Sequence, residues 1–269
     1  MAKHAGYGGV VARDDLGFEV PREAPAGRVV SLVPSLTESL AATRPDAIVG
    51  ATDWCTFPPD LDVTRVRGTK NPDWKAIVAL DPDLVVANRE ENREIDVRRL
   101  REAGVPVWVT RIESVPQALD SIDRLLEIAL GWGTPEWLAR AREVWSTPPS
   151  LTGIRTAAVV WRDPWMVVGR DTFAGDVLQR LGCTHEFRDD PGRYPTVSVE
   201  ELDALGLDVI LLPDEPYAFS PGDGPEAFTR TPTALMDGRQ LTWYGPSLVT
   251  ARAHLEGAVE RALSQSTGA

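Results

Sequence analysis

Four short apolar runs, Arg28–Val33, Ile48–Ala51, Leu84–Ala87 and Val105–Val109, punctuate the first half of this chain, with helical or polar stretches between them. Strands that are apolar on both faces must be buried on both faces. When helices separate them, the arrangement that buries them is a parallel sheet covered on either side. The intervening pattern agrees. Thr37 to Ala42 reads as a helix with Ser35 as N-cap and Glu38 three residues on, in the manner of a capping box. Ile77 to Leu80 closes a short helix, and Ile95 to Ala103 forms another that Gly104 stops. From Val115 to Leu130, apolar residues recur at helical spacing until Gly131-Trp132-Gly133 breaks the pattern.

The plan then restarts. Thr156 to Trp161 reads as a strand, and Phe173 to Leu181 as a helix capped by Asp171 or Thr172 and ended by Gly182. Val199 to Leu205 is helical, Asp208 to Leu212 a buried strand, Gln240 to Trp243 a last strand, and Pro246 to about Ser264 the closing helix. Between the halves, a helix opening at Thr134-Pro135 runs to about Trp145, before Pro148-Pro149. The expected fold class is α/β: two Rossmann-like lobes with parallel sheets joined by a single backbone helix. The lobes are expected at residues 1–131 and 151–269, with the connecting helix in 132–150. At 269 residues the chain is long enough for two such cores.

The formal charge of −12 argues against a nucleic-acid partner, because an acidic surface repels the phosphate backbone. No apolar stretch approaches the roughly twenty residues a membrane span needs. Met1 to Tyr7 shows no apolar core of signal-peptide length, and the polar run Ala12 to Glu19 reads as mature protein, so a cytoplasmic setting is expected. The two cysteines, Cys55 and Cys183, fall in different lobes and are read as free thiols.

Loops after the C-terminal ends of parallel strands face the ligand crevice of an open α/β sheet. That rule picks out Trp54, Cys55 and Phe57 after the second strand, and Asn88, Arg89 and Glu90 after the third. In the second half it picks out Trp165, Arg170, Tyr194, Asp214, Tyr217, Trp243 and Tyr244. Of nine tryptophans, Trp54, Trp161, Trp165 and Trp243 lie in or beside these loops. Such a set suits a flat conjugated ligand, although Trp161 above all also fits a core residue at a strand end. Arg89, Arg162 and Arg170 are candidates to pair with ligand carboxylates, against the plainer reading of solvated surface arginines. A cleft thiolate at Cys55 could touch the metal of a bound chelate. No resident metal site or cofactor is expected: His4, His185 and His254 are not spaced as ligands, and Cys183-Thr184-His185-Glu186 does not supply four.

Six segments in order, Arg28–Glu38, Gly68–Asp73, Ile77–Val86, Val168–Leu178, Tyr194–Leu202 and Trp243–Pro246, resemble the helical-backbone substrate-binding proteins that serve cobalamin, haem and ferric-siderophore importers. The resemblance covers nearly the whole chain. It implies a non-enzymatic, monomeric protein holding a bulky metal-chelate ligand between its lobes. Aromatics that hold ligand in the cobalamin binders of this family match Phe57 and Tyr194. Another stacking tryptophan of theirs falls near Asn88, a departure that weighs against cobalamin itself. Family members dock on an ABC permease through one carboxylate per lobe. Glu200 matches the second-lobe position, whereas Lys75 reverses the charge of the first, with Asp73 close by as a substitute. Lys75 and the polar N-terminus together favour a cytoplasmic relative. Two other readings stay open: an extracytoplasmic solute receptor with an unrecognised export signal, and a chelatase-like enzyme using the same cleft. For the latter, Asp214-Glu215 is an adjacent carboxylate pair at a strand end, and no nucleophile elbow or phosphate loop accompanies it.

Overall fold

The computed structural model of the protein describes residues 10–22 and 25–266; His4 and the Met1–Tyr7 N-terminus lie outside them. The chain divides into two compact units, Met1–Ile112 with Gln117–Ala139, and Glu113–Pro116 with Arg140–Ala269.

In unit 1, β1 (Val10–Arg13) and β2 (Glu19–Arg22) form an antiparallel hairpin. The main sheet runs β5 (Thr64–Arg65), β4 (Ile48–Ala51), β3 (Val29–Ser31), β6 (Leu84–Asn88), β7 (Val107–Thr110), every neighbour parallel. All five residues of β6 are buried, which is why this strand reads as a continuous apolar run. Helices α1 (Pro34–Ala41), α2 (Trp74–Ala79), α3 (Glu94–Glu102) and the start of α4 (Val115–Arg124) fall where the sequence places them. α4 continues into a π-helical turn at Leu125–Ala129, with Leu130 N bonded to Leu125 O at 2.9 Å.

One cap is different from the expectation. Helix α1 starts at Pro34, after Val33, with no side-chain cap. Proline's fixed φ suits the first helical position, so Ser35 is drawn inside the helix and not left at its edge. The hairpin is a feature that the polar run Ala12–Glu19 does not announce. Its Asp14-Asp15 turn closes the exposed edge of β7: Asp15 N donates to Val109 O (3.1 Å), Val109 N to Asp14 Oδ2 (3.3 Å) and Arg111 N to Asp15 Oδ2 (2.9 Å). The Asp14 side chain is fully buried against Arg101 (2.8 Å), and Asp15 holds Arg124 (2.6 Å).

In unit 2 the parallel order is β10 (Thr184–His185), β8 (Arg155–Trp161), β11 (Val209–Pro213), β12 (Thr233–Met236), with β9 (Met166–Val167) antiparallel on β8. Helix α5 (Glu136–Ser146) runs across the division at Ala139/Arg140. α6 (Phe173–Leu181) is capped by Thr172 and ended by Gly182 at φ 99°, a left-handed position where glycine carries no Cβ penalty. α7 (Val199–Ala204) has a full capping box between Ser198 and Glu201. The closing helix is α9 (Leu248–Ser266).

The expected last strand, Gln240–Trp243, is instead helix α8 (Gly238–Thr242), and the strand lies earlier, at β12. Asp237 caps α8, and Gly238 packs so tightly on Glu215 that a Cβ would meet its backbone N at 2.7 Å. No helix among the described residues is long and apolar enough to cross a membrane.

Candidate functional site

In unit 1 the C-terminal edge of the sheet is built from three segments. The first is the loop after β4. Arg65 folds it by donating to Thr52 O (3.1 Å), Cys55 O (2.8 Å) and Leu61 O (3.1 Å). The second is the turn after β5: Asp53 N donates to Arg67 O (2.9 Å) and Asn71 N to Gly68 O (3.2 Å). The third follows β6. Asn88 Oδ1 accepts from Glu90 N (2.8 Å) and Glu91 N (3.3 Å), and its Nδ2 donates to Thr110 Oγ1 (3.0 Å). Asn92 Nδ2 reaches across to Thr69 O (3.0 Å) and Leu32 O (3.2 Å). Lys70 Nζ donates to Glu90 O at 2.5 Å. The three segments are thus laced together by side chains that satisfy main-chain groups no sheet neighbour can reach.

Two expected contacts do not survive this geometry. Cys55 is fully buried, with Thr37 Oγ1 at 3.0 Å and Thr52 Oγ1 at 3.1 Å. Burial pushes its thiol upward, against the hydrogen bonds of Thr37 and Thr52, which disfavours the thiolate that a metal contact needs. Asn88 is buried too, its amide spent on the turn that follows it. Arg89 and Glu90 are exposed, and Phe57 is half-buried. Trp54 is the outlier: 66% of it is open to solvent. Glu91, half-buried beside them, has its carboxyl raised by burial, with Lys70 pulling the other way.

Unit 2 concentrates aromatics at the C-terminal ends of β8 and β11. Trp165 stacks on Phe219 (5.9 Å, 20°) and meets Phe228 edge-on (5.4 Å). Tyr217 packs on Phe219 (4.7 Å), and Trp161 stands edge-on to Tyr217 (5.6 Å). Arg162 caps the set, its guanidinium 5.2 Å from the Trp165 ring and bonded to Asp223 and to Glu226 (2.6 Å). Tyr217 donates its hydroxyl to Asp223 (2.8 Å). Arg162 therefore serves the protein's own carboxylates, and the reading of it as a ligand partner is replaced by an internal one.

Two tryptophans exchange the roles expected of them. Trp243 is buried, its indole N–H donating to Glu215 (2.9 Å), and Tyr244 is buried edge-on to Phe173 (5.4 Å). Both belong to the interior because the segment before them is helix α8 and not a strand delivering them to the rim. Burial raises the Glu215 carboxyl, which the Trp243 hydrogen bond partly offsets. Conversely Trp161 is 43% exposed. Tyr194 is 37% exposed, on a loop resting against Gly169, where Gly169 N donates to Arg193 O (2.8 Å). Arg170 is exposed beside Asp171 (3.5 Å), and Asp214 is exposed with its Oδ1 accepting from Gly238 N (2.7 Å).

Elsewhere, Glu200 is exposed in the first turn of α7. Lys75 is exposed on α2, its ammonium 5.7 Å from the Trp74 ring. Asp73 caps α2 through Ala76 N (3.1 Å) and lies 3.7 Å from Arg67. Cys183 is buried and its thiol pushed up to about 12 by desolvation. The residues that sequence reasoning missed are Arg65, Gly68 and Lys70. Their signal is only a polar, glycine-bearing turn after a very short strand.

No protein-family model matches the chain. A vitamin B12-binding protein of Salmonella paratyphi A is 28% identical over 187 residues, covering 66% of this chain and 68% of that protein. Among solved structures, the periplasmic vitamin B12 binding protein of Vibrio cholerae superposes with a TM-score of 0.74 at 20% identity, over 88% of this chain and 98% of that one. A periplasmic heme-binding protein from Roseiflexus sp. RS-1 does so with a TM-score of 0.72 at 21% identity, over 88% and 99%. Ordered motifs, sheet topology and these likenesses agree on the fold of the helical-backbone substrate-binding proteins, to which the chain is similar.

Proposed function

We propose that the chain is a non-enzymatic binding protein for a bulky metal-chelate ligand, cobalamin-like, haem-like or a ferric siderophore. The observation that carries this reading is the exposed indole of Trp54 on a hydrogen-bonded frame. A large apolar face held open on a rigid edge gains from covering by a flat ligand, since little side-chain freedom remains to be lost. Trp161 and Tyr194 offer comparable surfaces on the other unit. The similar proteins named for vitamin B12 and heme binding support the ligand class. The non-enzymatic reading is supported by the groups that could do chemistry: both thiols and His185 are buried, and Asp214 is tied to the start of α8.

Absorbance titration with cyanocobalamin, haemin and a ferric hydroxamate siderophore tests the proposal. A saturable spectral change at micromolar ligand or below is expected for at least one. Absence of binding to all three overturns it, and conversion of the ligand on incubation overturns the non-enzymatic part.

The setting is a proposal of its own. Lys75, exposed where family docking places a carboxylate, favours a cytoplasmic relative that does not engage an ordinary permease, since like charges would oppose each other. The periplasmic relatives favour the second reading, an importer's receptor. Cell fractionation decides between them: recovery of the protein outside the cytoplasmic membrane overturns the first.

A further inference from the structure

We propose that Gly68 is a positioning residue, the floor on which the Trp54 indole is laid flat so that its outer face can stack on a planar conjugated ligand. The inference rests on the binding reading above.

Gly68 is a glycine that its backbone does not require. Its φ is not among the positive-φ glycines, so no left-handed turn demands it. What it provides is room. A Cβ there would stand 3.2 Å from Nε1 and 3.6 Å from Cδ1 of Trp54, and 2.6 Å from Asn71 Oδ1. The Asn71 amide can rotate aside. The indole can give way only by lifting or tilting, because the loop that carries it is tied by Arg65 through Thr52, Cys55 and Leu61 carbonyls. The floor cannot sink either, because Asp53 N holds Arg67 O (2.9 Å) and Asn92 Nδ2 holds Thr69 O (3.0 Å). Between two fixed supports, one methyl group changes the angle of one ring.

Trp54 is also the most exposed of the large apolar side chains among the described residues, ahead of Phe18 at 52%. Exposure and a bare glycine floor are separate observations that point the same way. A ring with a face left open can accept a flat partner across its whole area, whereas a tilted ring offers only an edge.

The experiment is a double-mutant cycle of Gly68→Ala and Trp54→Ala, read by titration with cyanocobalamin and haemin and by acrylamide quenching without ligand. Thermal melts check that each variant is folded. In the Trp54 background, Gly68→Ala is expected to weaken binding of the accepted probe roughly three- to tenfold, the worth of a well-placed aromatic contact. In the Trp54→Ala background it is expected to change affinity less than about twofold. Quenching of the Trp54 signal, isolated by subtracting the matching Trp54→Ala protein, is expected to rise in Gly68→Ala. Equal losses in both backgrounds overturn the proposal. If the unaltered chain binds neither probe, stacking of a planar ligand on Trp54 fails, and quenching alone then judges Gly68: unchanged Trp54 accessibility overturns its role as well.

Discussion

The two units share a parallel-sheet plan but finish its C-terminal edge by opposite means. In unit 1 the edge is an amide lattice. Asn88, Asn92, Arg65 and Lys70 spend their polar groups on main-chain partners, and the one large aromatic, Trp54, is left outward. In unit 2 the edge is a cluster of rings, Trp161, Tyr217, Phe219, Trp165 and Phe228, closed by Arg162 between two carboxylates and an indole face. The difference teaches that an aromatic near a strand end says little by itself about ligand contact. What matters is whether the neighbouring rings or the neighbouring amides have claimed the space around it.

The sharpest way to break this contrast is at Gly169, where a Cβ would lie 2.1 Å from Gly192 O and 3.0 Å from Arg193 O. Backbone cannot swing aside as a side chain can. Gly169→Ala is expected to cost about 3 kcal/mol or more in urea unfolding and to release the Tyr194 loop. Asp203 is next. It is buried, and burial would raise its carboxyl, but the amides of Thr229, Thr231 and Arg230 overcome that and hold it at about 2. A depressed carboxyl stabilises the fold above its unfolded value of 3.8, and that contribution is lost as pH falls toward 2. Asp203→Ala should lose roughly 2–3 kcal/mol at neutral pH, with a flatter acid limb.

Arg162→Gln is expected to cost about 1–2 kcal/mol, given its partial exposure, and to change the near-ultraviolet dichroism of the ring cluster. A variant with unchanged dichroism would show that the rings hold themselves. His185 gives a smaller effect. It is buried, and burial lowers its pKa from 6.5, with main-chain groups of Thr156, Gly169 and Val168 pulling the other way. As pH falls below 6.5 the unfolded chain takes up the proton first. Stability is then full above that value and declines below it until the folded pKa is passed. His185→Leu should flatten this slope in melts between about pH 5 and 7. Smallest of all is the effect of Trp54→Ala on stability, expected within about 0.5 kcal/mol for so exposed a side chain. Its effect on ligand affinity should exceed that of Trp161→Ala; equal losses would make the two edges equivalent.

Much of the fold was legible because buried parallel strands are continuous apolar runs and because helix ends carry local chemistry. Leu84–Asn88, Thr172 and Gly182 are examples. The β1–β2 hairpin was not, since Asp14 and Asp15 are held by Arg101 and Arg124, partners about ninety and more residues away. Helix α8 is not legible in the sequence because five residues are too few to show a helical period. Sequence order placed Trp54 and Tyr194 in loops beyond strand ends, and both are exposed. It could not foresee that Trp243 turns inward to Glu215 while Trp161 stays out, a matter settled by packing partners from distant segments.

The Asp14-Asp15 turn does more than fasten a hairpin. Edge strands invite a neighbour's backbone, and here two carboxylates and one amide answer β7 and Arg111 before any stranger can. A chain nicked or trimmed just beyond this turn would keep its core and its rim yet present an open zipper. The first sign of damage would then be sticking to its own kind, well before any loss of helix or of ligand.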